Sequence, residues 1–289
     1  MKFFFIIVTF TANITTAQTN PNFPDSNSPK KYPGYKITWS DEFNTPGKPE
    51  LSNWTYETGF VRNRELQWYT TDNARCEKGL LVIEAKKTVV PNPDYNKADT
   101  GNWKKNREFI TYTSASLKTQ GLRQFQFGRF EIRARIDTSL GSWPAIWTLG
   151  VGGRWPLGGE IDIMEFYRSD GIATILANVA WGKVNDGRPI WNTGKVPLSH
   201  FTQKNAEWAK QFHVWRMDWT KDSVNLYLDD ELLNTQLVSK TINPDGSNPF
   251  LKPQYLLLNL AVGANGGDPG NSKFPIKFEV DYVRVYQKD

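Results

Sequence analysis

Residues 158–167 read GGEIDIMEFY, and three acids, Glu160, Asp162 and Glu165, stand in that run among Ile161, Ile163, Met164 and Phe166. β-Branched and large apolar residues at this density favour a strand with one buried face. On a strand, positions i and i+2 share a face, so Glu160 and Asp162 point the same way. Glu165 lies three positions further on, and a regular strand turns it to the opposite face. One inserted residue, a β-bulge near Ile163 or Met164, returns it to the face of the other two. Carboxylates in a row repel one another, so a chain that keeps three of them is expected to use them.

The rest of the chain reads as further strands. Leu80–Lys86, Phe127–Ile136, Ala173–Trp181, His213–Trp219, Ser223–Asp230, Tyr255–Gly263 and Lys277–Tyr286 are short, β-rich and separated by turn residues. In FGRFEIRARI, Phe130, Ile132, Ala134 and Ile136 alternate with Arg129, Glu131, Arg133 and Arg135, the pattern of a half-buried antiparallel strand. No stretch carries a helical period. Many strands with no helices between them predict an all-β, jelly-roll sandwich.

The ends set the domain organisation. Lys2, the apolar stretch Phe3–Phe10 and small residues up to Ala17 have the pattern of a secretory signal peptide over 1–17, too short to span a membrane. Residues 18–34, with four prolines and many Asn and Ser, read as a linker. One domain over 35–289 follows, with no repeat or second boundary. The expected location is secreted or periplasmic. Cys76 is the only cysteine, so no internal disulfide forms. A net charge of +5 with no dense basic run argues for solubility rather than nucleic-acid binding. Membrane insertion is not expected, and a monomer is the default.

Two carboxyl groups flanking a glycosidic bond are the usual apparatus of glycoside hydrolysis, and in retaining enzymes they stand about 5–5.5 Å apart. With one bulge, Glu160 and Glu165 are four strand steps apart, roughly 13 Å between Cα atoms, so their long side chains must lean together. Asp162 between them is placed to raise a neighbour's pKa by its charge, or to hydrogen-bond the nucleophile and fix its rotamer. Calcium binding and a merely solvated face are the competing readings. Metal sites draw their oxygens from loops, and like charges on a strand destabilise it, so catalysis is preferred.

The surroundings suit a sugar. Trp143 and Trp147 in GSWPAIWTLG, Trp155 in GRWPLGGE, and Asn63, Glu65, Gln67 and Trp68 in RNRELQWYT combine ring faces for pyranose C–H groups with partners for hydroxyls. Any one Trp has core packing as its simpler explanation; the cluster among Gly and Pro turns reads as a binding groove. Trp39, Trp215 and Trp219 fall in strand-like runs and are assigned to the core, as is His213, whereas His200 sits in a polar loop.

GGEIDIMEF, WPAIW, RNRELQWY and VDYVRVY together resemble a family 16 glycoside hydrolase of the laminarinase branch, over about Ile37 to Gln287. That resemblance implies a concanavalin-like β-jelly roll with a cleft on its concave sheet, and endo-hydrolysis of a β-glucan with retention. It implies Glu160 as nucleophile, Asp162 as its electrostatic partner and Glu165 as acid/base, with no cofactor for catalysis. Asn63, Glu65, Trp143 and Trp155 match cleft positions. It also implies a structural calcium on the convex side, with Glu42, the carbonyl of Gly79 and Asp281 at the matching places.

Two departures bear on the substrate, expected to be a β-1,3- or mixed β-1,3/1,4-glucan. ILANVAWG has Ala180 near a position where laminarinases often carry His. The long segment Pro91–Thr113 holds Lys97, Lys104, Lys105 and Arg107 beside Trp103, read either as a solvated loop or as a groove wall for an anionic galactan. An endo-hydrolase of agarose, porphyran or carrageenan type using the same acids is the alternative. A carbohydrate-binding protein without catalysis is a third reading, disfavoured by the three acids.

Overall fold

The structure, a computed structural model, describes residues 20–25, 27–182 and 188–289. Two sheets pack face to face. One has seven antiparallel strands, in the order Ile190–Pro197, Ile172–Trp181, Glu160–Ser169, Ser142–Gly150, Gln254–Val262, Ser116–Lys118 and Thr55–Tyr56. The other has ten strands, with Gly128–Ile136 and Ile276–Lys288 adjacent at its centre. Among the described residues the only α-helix is the single turn Ser199–Thr202, and no helix is long and apolar enough to cross a membrane. This is the expected all-β jelly roll. Residues 1–17, expected to be a signal peptide, lie outside the described residues.

Side-chain alternation builds the core. Ile161, Ile163 and Phe166 from one sheet, and Phe130, Ile132 and Ala134 from the other, are fully or almost fully buried in a single cluster. Ile175, Ala177, Val179 and Trp181 join it from the neighbouring strand, leaving Leu176, Asn178 and Ala180 to the opposite face. Trp215 and Trp219 are core residues, as expected, and Trp39 packs against the cluster. Truncating a ring such as Phe166 to Ala is expected to cost about 3–5 kcal/mol.

The pattern in FGRFEIRARI is only half observed. Its apolar face is buried as expected, but Glu131 and Arg133 on the other face are 3% and 2% exposed. What covers them is the stretch read as a linker. Arg133 donates to the carbonyls of Asn20 at 3.0 Å and Phe23 at 2.9 Å, and Phe212 N–H donates to Pro21 at 2.7 Å. Asp25 N–H donates to Asp281 at 2.9 Å, Tyr32 hydroxyl donates to Glu131, and the Tyr32 ring meets Tyr286 edge-on at 5.2 Å. Pro and Asn richness signals a segment with no core of its own; it does not exclude a strap that satisfies buried charges with its backbone. A chain starting at Tyr35 should therefore melt roughly 5–10 °C below one starting at Asn20, from about 3 kcal/mol of lost hydrogen bonds. Equal melting temperatures by calorimetry would show that the strap contributes nothing.

Candidate active site

The catalytic-strand candidate Glu160–Ser169 contains the bulge. Against Ile172–Trp181, Asp162 pairs with Asn178 but Glu165 pairs with Leu176; against Ser142–Gly150, Asp162 pairs with Trp147 and Met164 with Ile146. Ile163 and Met164 both join the core, so Glu165 emerges on the face of Glu160 and Asp162. Cross-strand pairing then lays out rows on that face: Leu149, Glu160, Ala180, Trp191; next Trp147, Asp162, Asn178, Thr193; then Ala145, Glu165, Leu176, Lys195.

The acids form the floor of a cleft of about 910 Å³, walled by Asn63, Glu65, Trp143, Trp147 and Trp155 among others. Trp155 Nε1 donates to Glu160 at 2.5 Å, and Trp143 Nε1 donates to Glu165 at 2.8 Å. Asn178 Nδ2 donates to both Asp162, at 3.0 Å, and Glu165, at 2.9 Å. Trp155 reaches Glu160 because its loop folds tightly back. The Gly158 carbonyl oxygen stands 1.9 Å from where a Cβ on Gly150 would lie, so only glycine fits there. Glu65, 2% exposed, accepts from Asn63 at 3.2 Å and Gln67 at 2.6 Å. Its other contact, Tyr69, is bonded by Asn259, which in turn accepts from Trp147 Nε1 at 2.7 Å. One buried polar network therefore sets one wall of the cleft.

The family model for glycosyl hydrolases family 16 matches residues 62–284. The chain belongs to that family. It is 34% identical to a β-glucanase of Rhodothermus marinus, over 89% of this chain and 87% of that one. A glucan endo-1,3-β-glucosidase of Cryptopygus antarcticus is 35% identical, covering 86% and 91%. Among solved structures, it is similar to one of the endo-acting O-glycanases that prominent members of the human gut microbiota express to initiate mucin breakdown. The two superpose with a TM-score of 0.80 at 35% identity, covering 91% and 94%.

Burial raises all three acids of this family 16 domain. Burial, then the charge of Glu160, pushes the Glu165 carboxyl up to about 7. Burial raises Glu160 too, opposed by its bonds from Trp155 and Asp162. Asp162, 2% exposed with an acid on each side, is raised well above the ordinary carboxylate range by burial and both neighbours. The hydrogen bond between Asp162 and Glu160 lowers Glu160 and raises Asp162.

Sequence reasoning missed several cleft residues: Arg62, Tyr167, Asn178, Trp191, Thr193, Lys195, Asn259 and Asn265. Asn178 was discoverable as the lone amide in an apolar run; Trp191 and Lys195 needed the register of a strand not recognised. Ala180 pairs with Trp191, whose ring is 43% exposed, so an aromatic platform stands beside the departure from the laminarinase pattern. Lys97, Lys104, Lys105 and Arg107 do not line the cavity, and Arg107 instead donates to the carbonyls of Arg64 and Glu65.

The calcium expectation does not fit these side chains. Glu42 is gripped by the Arg284 fork at 2.9 and 2.7 Å, and Asp281 accepts from Arg133 at 2.5 Å as well as from Asp25 N–H. Each acid is already neutralised by a guanidinium, so a divalent cation beside them and Gly79 meets two like charges. Among the described residues no three metal-binding side chains cluster.

The raised Glu165 has a defined pH consequence. Its carboxyl holds a proton up to about 7 in the folded state, whereas the unfolded chain releases it near 4.5. Stability is therefore lost as pH rises between those values, and Glu165→Gln should recover part of it, measured as melting temperature against pH. For activity, the alkaline limb of kcat/KM is expected near 7. Asn178 favours the ionised form, so Asn178→Ala should move that limb upward; an unmoved limb contradicts the assignment.

Proposed function

We propose that the protein cleaves internal β-linkages of a polysaccharide by double displacement, with Glu160 as nucleophile and Glu165 as acid and then base. The carrying observation is the pair of outer acids on one face, one held by Trp155 and the other raised by burial to about 7. Glu160 attacks the anomeric carbon while Glu165 gives its proton to the departing glycosidic oxygen, leaving a glycosyl ester on Glu160. Water then attacks that ester as Glu165 takes its proton, which frees the sugar with retained configuration. Asp162 donates to Glu160 and fixes its rotamer. Endo-action suits a cleft crossing five strands, about 19 Å at about 4.8 Å per strand, and so longer than one sugar.

A β-1,3- or mixed-linkage β-glucan is the first-choice substrate, supported by the glucanase relatives. A galactan or mucin-type glycan is the second reading. It is favoured by the similarity to the O-glycanase and by Lys195, a cation lining the cleft; Arg62, also in the lining, is paired with Glu57. Action outside the cytoplasm belongs to the same proposal, since such polymers are extracellular and the first 17 residues carry the leader pattern.

Glu160→Gln should bind glycan almost as the parent does while turnover falls by several orders of magnitude, on the order of 10⁴-fold or more. Retention of most activity would remove the nucleophile assignment. Product mapping on laminarin, mixed-linkage glucan, agarose, porphyran, carrageenan and mucin O-glycans decides the substrate. Oligosaccharides from laminarin support the first reading, and release only from galactans or O-glycans the second. Retention on an affinity gel with no release would mean a binder.

A further inference from the structure

The turn that brings Asn63 and Glu65 to the cleft is held from behind by a side chain that never enters it. Asn63 and Arg64 have φ of 56° and 53°, consecutive left-handed residues that are not glycine. Such backbone is costly and persists only where the surroundings fix it. The carbonyl oxygens that this turn exposes are taken by one guanidinium. Arg107 Nη2 donates to Arg64 O at 2.8 Å, and Nη1 donates to Glu65 O at 2.5 Å.

Arg107 is itself fixed. Its guanidinium lies over the rings of Phe60, at 4.7 Å, and Trp103, at 4.9 Å. Phe60 meets Trp68 edge-on at 5.3 Å, which ties this packing to the strand just after the turn. The loop carrying Arg107 is closed by Asn92, 4% exposed, whose amide donates to the carbonyls of Lys104 at 3.1 Å and Arg107 at 2.8 Å. Among the described residues Arg107 has no acidic partner, so its donors serve the backbone of the turn.

We infer that Arg107 is a positioning residue for glycan binding: it holds the strained Arg62–Glu65 turn so that Asn63 and Glu65 face the substrate. The inference rests on the proposed glycan-cleaving reading of the cleft. It also sets aside, for Arg107, the groove-wall alternative of the sequence reading, since its fork is spent on two carbonyls.

Arg107→Ala should raise KM for the polysaccharide about tenfold with kcat little changed, the signature of lost binding rather than lost chemistry. Arg107→Lys should not restore KM, because an ammonium cannot span two carbonyls as a fork does. A purely structural role would lower the melting temperature and leave KM of the folded enzyme alone. Unchanged KM in both variants, assayed well below their melting temperatures, would overturn the inference.

A second measurement separates indirect from direct action. Asn63→Gly removes the delivered side chain and relieves the turn, so its KM effect and that of Arg107→Ala should not multiply in the double variant. Fully multiplicative losses would mean that Arg107 acts elsewhere. Failure of the functional reading looks different: the unmodified protein then releases no oligosaccharide from any glycan, before any variant is made.

Discussion

Three carboxyl groups share one strand face on the floor of the cleft, and much of the seven-stranded sheet is arranged around that crowding. Left ionised together they would repel, and partial desolvation strengthens that repulsion. The chain relieves this with protons and donors. Burial and both neighbours raise Asp162 well above the ordinary carboxylate range, burial raises Glu165 to about 7, and Glu160 receives Trp155. A carboxyl raised towards neutral pH, as Glu165 is, is what general acid catalysis needs. The bulge at Ile163–Met164 is the geometric condition for all of it.

The ten-stranded sheet handles charge in another way. Its outer face carries Arg129, Arg133 and Arg284 paired with Asp218, Asp281 and Glu42, and an N-terminal strap covers part of it. Taking one partner from such a buried pair is costlier than never having had the pair, so these ions are mutually dependent. Neither device relies on a disulfide; the single Cys76 is buried and free. The large apolar cluster between the sheets carries the stability that small secreted domains often draw from cross-links.

Much of the site was legible because strand alternation is a strict rule. Reading GGEIDIMEFY with period two required a bulge before Glu165, and the pairing of Asp162 with Asn178 and Glu165 with Leu176 contains it. Trp143 and Trp155 were recognisable from composition, and both bond the acids. Register was not legible. Trp191, Thr193 and Lys195 come from a strand whose sequence, IWNTGKVP, is too polar and Gly-containing to announce itself, yet pairing sets its exposed residues beside Ala180, Asn178 and Leu176. Long-range partners were hidden for the same reason. Nothing local in Asn20–Tyr32 says that it covers Glu131 and Arg133, and nothing near Arg107 says that its fork reaches Arg64 and Glu65.

The central claim is that the bulge sets Glu160 and Glu165 on one face with unlike duties. Its most direct test is trapping with a 2-fluoro glycosyl donor, followed by mass spectrometry of the peptide spanning 158–169. The account predicts one covalent sugar, esterified to Glu160. An adduct on Glu165 or Asp162 would contradict it, by reversing the pair or by moving the nucleophile to the central acid.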